Sequence, residues 1–436
     1  MTGQRSRRAV LAGVGSAVAA LAGCSALSGG SGRAYDRDSL GRIVDDASRP
    51  HPVEFPFVVT DEQLRAHRDR IRAQVDTVPS DPSVPNEAVA RELRERRESV
   101  RQRLDAVGTD EPPHRRLDRL RELRRQAAQL REAYLAATDD IDAGQVRRRR
   151  DEVRDRLSAF RAAWDYRGEG PVDAVAANAE LEGHVSRVTH ELEPWPPFPE
   201  SVTAVPEGVG YIVGKIETAA ATLTDAERFR GRLADRATGR YRPAMMATAT
   251  WLRRRCRDQA ASFEAVLEAD GLPVDRDAAD SPADHLYNLA VDAARGYTNE
   301  GLLEEIGEEG YAGAVRYATQ RRAVLRALES VATQVDAGTD DPNPAVPADP
   351  SVREIEAARE QAVGAYRRAI GTAPEPIATR TVTPAYTELT RADLDVENGT
   401  TRGYELFAQY RYVTAYARAT VETTAEVTHL LRSAAE

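Results

Sequence analysis

The chain has 436 residues, a formal net charge of −10, 30% charged and 41% hydrophobic side chains, and two cysteines. It is too apolar to be wholly disordered, too charged for a polytopic membrane protein and too poor in cysteine for a disulfide scaffold. Of the 60 basic residues one, Lys215, is lysine and the rest are arginine.

The first element is a leader. Ser6-Arg7-Arg8-Ala9-Val10-Leu11 sets paired arginines before an apolar run of about 15 residues that holds Gly13, Gly15 and Ser16. A bilayer-spanning helix needs roughly 20 apolar residues, so the run reads as an export signal and not a permanent anchor. It ends in Leu21-Ala22-Gly23-Cys24, and the Gly/Ser-rich stretch from Ser25 to Gly32 reads as a flexible tether. Together these residues resemble the twin-arginine signal and lipobox of secreted lipoproteins of halophilic archaea. The resemblance covers the leader and the arginine-rich, acidic composition only. It implies that Arg7 and Arg8 carry the export signal and that cleavage leaves a lipid thioether on Cys24. The body would then cross the membrane already folded and stay on the outer face of the cytoplasmic membrane, at the cell surface. Without residues 1–24 the chain has 57 basic against 70 acidic side chains, a net of −13.

From Thr60 onward the pattern is helical. Thr60-x-x-Gln63, Thr224-x-x-Glu227 and Ser351-x-x-Glu354 have capping-box form, and Ser281-Pro282-x-Asp284 pairs a cap residue with proline at the first helical position. The spacing predicts helices over 60–76, 86–107, 114–138, 144–166, 172–192, 207–222, 225–239, 243–269, 282–298, 308–336, 351–370, 384–396 and 401–433. Only 53–59 and 202–205 read as short strands. The fold class is therefore all-α.

Apolar heptads mark 86–166. Val146, Val153 and Phe160 repeat every seven residues, as do Leu120, Ala127 and Tyr134, and Leu93, Val100 and Val107. Runs of about three heptads with short breaks predict an antiparallel helical hairpin or three-helix arm, attached to a larger multi-helix bundle. Residues 86–170 carry 21 basic and 18 acidic side chains, whereas 171–436 carry 28 and 42. The resulting division is a leader at 1–24, a tether at 25–55, a heptad-patterned arm at 56–168 and an acidic bundle at 171–436. The arm is the surface for a protein partner. Arg147 to Arg150 could face anionic headgroups, but Asp151, Glu152 and Asp155 beside them favour a solvated helix face, and net acidity argues against nucleic acid.

Candidate chemistry is sparse. Gly208-Val209-Gly210-Tyr211-Ile212-Val213-Gly214-Lys215 lacks the hydroxyl and spacing of a phosphate loop and has no βαβ surroundings; it reads as a glycine-relieved helix packed closely on a neighbour. Glu180, His184, Arg187 and Glu191 share one helix face. Glu422, Glu426 and His429 share another, and Glu426-x-x-His429 has the i, i+3 spacing of carboxylate-bridged metal bundles, whose second half-site is missing. Glu180 with His184, and Glu422 with Glu426 and His429, are the metal candidates; no other cofactor is indicated. Cys256, among Arg253 to Arg257, reads as a packed thiol. Asn398-Gly399-Thr400 is the only glycosylation sequon. The last helix, ringed by Tyr404, Phe407, Tyr410, Tyr412 and Tyr416, reads as a buried central element. The functional expectation is a surface-anchored, non-catalytic binding or envelope-structural module. The alternatives are a helical metal-binding or metal-dependent enzyme and the ligand-binding subunit of a membrane transport system.

Overall fold

The computed structural model describes residues 40–41, 43–44, 55–193, 196–269, 281–297, 310–337, 346–372, 375–398 and 402–436. Fourteen helices make up almost all of it. In chain order they are α1 (Asp61–Asp76), α2 (Glu87–Asp105), α3 (Pro113–Ala137), α4 (Ala143–Ala162), α5 (Pro171–Leu192), α6 (Pro206–Arg236) and α7 (Arg242–Ala261). These are followed by α8 (Glu264–Leu267), α9 (Pro282–Arg295), α10 (Tyr311–Ala337), α11 (Val352–Thr372), α12 (Glu375–Thr381), α13 (Thr383–Asn398) and α14 (Gly403–Ser433). The protein is all-α, with a multi-helix bundle as its body. The strands described are β1 (Arg167–Gly168) and β2 (Gly239–Arg240), an antiparallel two-residue ribbon. Among the described residues neither predicted strand forms: 55–59 and 202–205 are irregular or turn, with no neighbouring strand to supply a ladder, and residues 53 and 54 lie outside the described ones.

The starts follow local chemistry. The Thr60 hydroxyl accepts from the Gln63 amide at 3.3 Å, Asp142 accepts from Gly144 and Gln145, and Ser281 accepts from Asp284 at 3.1 Å. Proline opens α3, α5, α6 and α9, where its missing N–H costs nothing. One expected start is overturned. The chain does not break at Thr224, because its hydroxyl bonds back to the Ala220 carbonyl at 2.8 Å inside a continuous 31-residue α6.

The heptad-striped helices do not close on one another as a separate arm. Leu93, Leu104, Leu120, Leu130, Val153 and Phe160 share one buried core with Ile71 of α1, Leu181 and Val188 of α5, and Ile216, Leu223 and Phe229 of α6. The boundary expected at 168–171 thus falls within continuous packing. The reason is the width of the α3 stripe, which includes Leu117, Leu123, Ala127, Ala133 and Ala136 and reaches more than one neighbour. Nor is 25–55 tether throughout: residues 40–41 and 43–44 are helical, and Leu40 and Val44 are buried against the C-terminal core.

That second core surrounds α14, whose Tyr410 and Tyr416 are fully buried. The Tyr410 hydroxyl donates to Asp393 at 2.9 Å, and Tyr416 donates to the Thr381 carbonyl at 2.7 Å. Asp393 also receives a two-pronged ion pair from Arg359, at 2.9 and 2.7 Å. A third apolar cluster joins the halves: Val172, Val175 and Ala179 of α5 pack with Met245, Leu252, Val315, Ile377 and Leu431. Among the described residues no helix is long and apolar enough to cross a membrane.

Candidate functional site

The polar centre of the N-terminal half begins with residues that break the rules of their own stripes. On α1, Gln63 and His67 stand among Leu64, Ile71 and Val75; on α6, Asp225 stands among Thr222, Ala226 and Phe229; on α3, Arg121 follows Leu117 and Leu120. All four are buried, and Asp225 has no exposed surface. Gln63 Nε2 donates to Asp225 Oδ1 at 2.8 Å, His67 Nε2 lies 3.2 Å from both carboxylate oxygens, and Arg121 Nε donates to Oδ2 at 2.7 Å. Burial alone would raise the Asp225 carboxyl; the bonds from His67 and Gln63 and the Arg121 charge overcome it and hold the group well below the usual carboxylate range.

Arg121 continues the network outward. Its Nη2 donates to His184 Nε2 at 2.9 Å and its Nη1 to Asp118 at 3.1 Å. His184 Nδ1 in turn donates to the Glu180 carbonyl at 2.8 Å, which fixes the tautomer. Burial, reinforced by the Arg121 charge, pushes the His184 pKa down to about 3, so the ring is neutral at neutral pH.

This network forms one side of a cleft of about 140 Å³ between α3, α5 and α10. Phe55 stacks on His114 at its mouth, with ring centres 5.6 Å apart. Arg187 enters from α5 and Arg316 from α10. The Glu180 carboxylate is occupied by Arg380 Nη2 of α12 at 3.3 Å. A neighbouring cavity of about 240 Å³, also bounded by Phe55, reaches Asp173, Arg236 and Arg380. The predicted face Glu180–His184–Arg187 therefore lies at the cleft, where Glu180 is paired with Arg380 and His184 with Arg121. Glu191, on the same face, lies 4.0 Å from Lys215 Nζ, away from the cleft lining.

The second metal candidate does not assemble either. Glu426 accepts from Arg322 at 2.8 and 3.0 Å and from Arg326 at 2.8 Å, while Glu422 and His429 are exposed. A carboxylate already neutralised by two guanidinium groups is a weak ligand for a cation, which would have to enter beside both positive charges. Among the described residues no group of three His, Cys, Asp or Glu has the arrangement to hold a metal. Cys256 is buried, donates weakly to the Ala318 carbonyl at 3.4 Å, and has its thiol pushed up to about 11 by burial, so it is a packed thiol. Gly210 and Gly214 sit where a Cβ would press on Gln129 of α3, so the glycine-rich run is a close helix contact. Asn398 is exposed at the end of α13; Gly399 and Thr400 lie outside the described residues, as do Arg7, Arg8 and Cys24.

One further acid joins the halves. Glu182 of α5 accepts from the backbone amides of Ala312, at 3.0 Å, and Gly313, at the N-terminus of α10. The Tyr166 hydroxyl donates to the same carboxylate. Burial pushes the Glu182 pKa up to about 7 against these bonds.

Sequence reasoning found Glu180, His184 and Arg187 and missed Gln63, His67, Arg121, Asp225 and Arg316. The first four carried a readable signal, polar residues set inside apolar stripes. Arg316 carried none, because the face it meets belongs to a distant segment.

Residues 62–239 match a family model described as a domain of unknown function (DUF8262), and residues 242–429 match another described as a domain of unknown function (DUF8264). No curated protein and no solved structure matches the chain. The two matches meet at β2, and the cleft takes Arg121, His184 and Arg187 from the first and Arg316 from the second.

Proposed function

We propose that the chain is an exported, lipid-anchored binding module held on the outer face of the cytoplasmic membrane through Cys24, with the cleft between its two halves as the ligand seat. The observation that carries the binding reading is the cleft itself. Its walls come from both matched halves, its floor is a pre-arranged polar network, and two of its guanidinium groups, those of Arg187 and Arg316, make no ion pair with a described residue. Such concave sites between packed units, with few and fixed polar groups, are where small ligands bind. The leader, with Arg7-Arg8 ahead of Leu21-Ala22-Gly23-Cys24, supports the anchoring, and its order resembles that of halophilic-archaeal lipoproteins. Asn398 is the proposed glycan acceptor on the exported body.

Acyl labelling and membrane fractionation test the anchor. Native chain is expected in the membrane fraction carrying label, and Cys24→Ser is expected unlabelled and soluble. Equal retention of both would sink the lipid anchor. The ligand-binding subunit of a transport system is the second reading, favoured by the position of the cleft between two halves.

A further inference from the structure

We propose that the cleft is a receptor site for a small oxyanion, a phosphoryl or carboxylate group, held between the guanidinium groups of Arg316 and Arg187. The proposal rests on reading the cleft as the ligand seat and adds the chemistry of the occupant.

Three observations converge on it. First, the arginines lining the cleft are not equivalent. Arg121 is used up, its three nitrogens bound to Asp225, Asp118 and His184. Arg316 and Arg187 form no hydrogen bond or ion pair with any described residue, yet both line the same cavity. Arg316 is also partly buried, and burial lowers its pKa despite the charges of Glu180 and Glu182 nearby. A desolvated guanidinium left without a partner carries an unmet cost, which an oxyanion would offset.

Second, the acids in the cleft are already committed. Glu180 holds Arg380 at 3.3 Å, and Asp118 holds Arg121 at 3.1 Å. Neither is bonded to Arg316 or Arg187, so the planar donor forks of those two side chains stay open to a ligand. His114, opposite, has its pKa lowered by burial and presents a neutral ring at neutral pH. Stacked on Phe55, it gives the cleft an aromatic wall.

Third, size selects the occupant. The volume of about 140 Å³ is close to the ~150 Å³ of a cavity that holds one benzene molecule. Inorganic phosphate, a short dicarboxylate or the single phosphoryl group of a larger molecule fits such a space. The oxyanion is free in solution or is the headgroup phosphate of a lipid, and one experiment separates these sources.

The full chain is titrated calorimetrically at pH 7 in low salt with inorganic phosphate, with succinate and with phosphatidylglycerol vesicles. The Cys24→Ser background is used so that no acyl chain drives vesicle binding. The expected result is one-site binding of an oxyanion, weakened at least tenfold by Arg316→Gln and by Arg187→Gln and unchanged by Arg147→Gln on α4. The unliganded Arg316→Gln protein should melt no lower than its parent, since an unpaired desolvated charge has been removed; this separates lost binding from lost fold. Vesicle binding that depends on Arg316 assigns the oxyanion to a lipid headgroup, and binding of the free anions alone assigns it to a soluble ligand. If no probe binds, the oxyanion assignment falls while the cleft as ligand seat and the anchor, read separately by fractionation, stand. Anions bound equally by parent and both variants would place the site elsewhere and overturn the cleft reading as well.

Discussion

A carboxylate without solvent contact persists in the N-terminal core because Gln63 and His67 of α1 and Arg121 of α3 reach Asp225 together. Removing the charge leaves Arg121 buried with its main counter-ion gone. Asp225→Asn should therefore cost about 3 to 5 kcal/mol in denaturant unfolding. Arg70→Gln, which breaks the half-exposed pair with Glu217 at 3.1 Å, should cost less than about 1 kcal/mol. Comparable losses for the two would show that the buried network contributes no more than surface pairing. The same residues set the acid limit of the fold. His184, with a folded pKa of about 3, stays neutral while the unfolded chain takes up a proton below 6.5, so stability drains as pH falls through that interval. Asp225, held low in the fold, adds a further loss below the ordinary aspartate value of 3.8.

Helix ends and apolar faces were largely legible from spacing alone, because caps, prolines and stripes act within a few residues of themselves. The start of α1 at Thr60 and the start of α9 at Ser281 are cases where the cap residue states the boundary. Thr224 shows the limit of that reading. It has the form of a cap, but its hydroxyl satisfies itself on Ala220 and receives Arg156 at 3.0 Å, a residue from α4 that no local pattern names. The heptads of 86–166 mark apolar stripes, but periodicity gives a buried face and not its partner. The most extensive partner of α3 is α6, and Gly210 and Gly214 are what let the two approach. Gly210→Ala should destabilise by about 1 to 3 kcal/mol by forcing α3 and α6 apart. Gly231→Ala, later on the same helix where a Cβ meets nothing within 4 Å, should stabilise by about 0.5 to 1 kcal/mol. Thermal unfolding of the pair checks this, and a gain at both positions would remove the close contact from the account.

At the scale of the molecule the halves are joined by the apolar cluster of α5, α7, α10, α12 and α14 and by two polar links, Arg380–Glu180 and the seating of Glu182 on the α10 amides. The Glu182 link is pH-dependent with a definite sign. Its folded pKa of about 7 lies above the ordinary glutamate value of 4.5, so the folded protein keeps a proton that the unfolded chain gives up. The stability from that proton is complete below pH 4.5 and is lost as pH rises through 7, up to about 3 kcal/mol. Tyr166 and Arg316 face the same carboxylate and set how much of this is felt. Below pH 6.5 the term runs against that of His184, so native chain alone would show a shallow optimum. Comparison with Glu182→Gln, which keeps an acceptor and cannot ionise, isolates it. The native protein should lose thermal stability relative to Glu182→Gln between pH 5 and pH 8, and a constant difference would exclude the link as a titrating contact.

Glu182 lies 130 residues ahead of the amide it caps in α10. During synthesis, the carboxylate that completes α10 is therefore made long before the helix that needs it. The first half can offer a finished docking edge as α10 leaves the ribosome, whereas α10 made first would emerge with its opening amides unmet. The order of the two halves along the chain is thus matched to the order in which the fold can close. A permuted gene that begins at Arg242 and ends at Tyr241 would leave the Glu182 seat on the α10 amides in the sequence and reverse that timing.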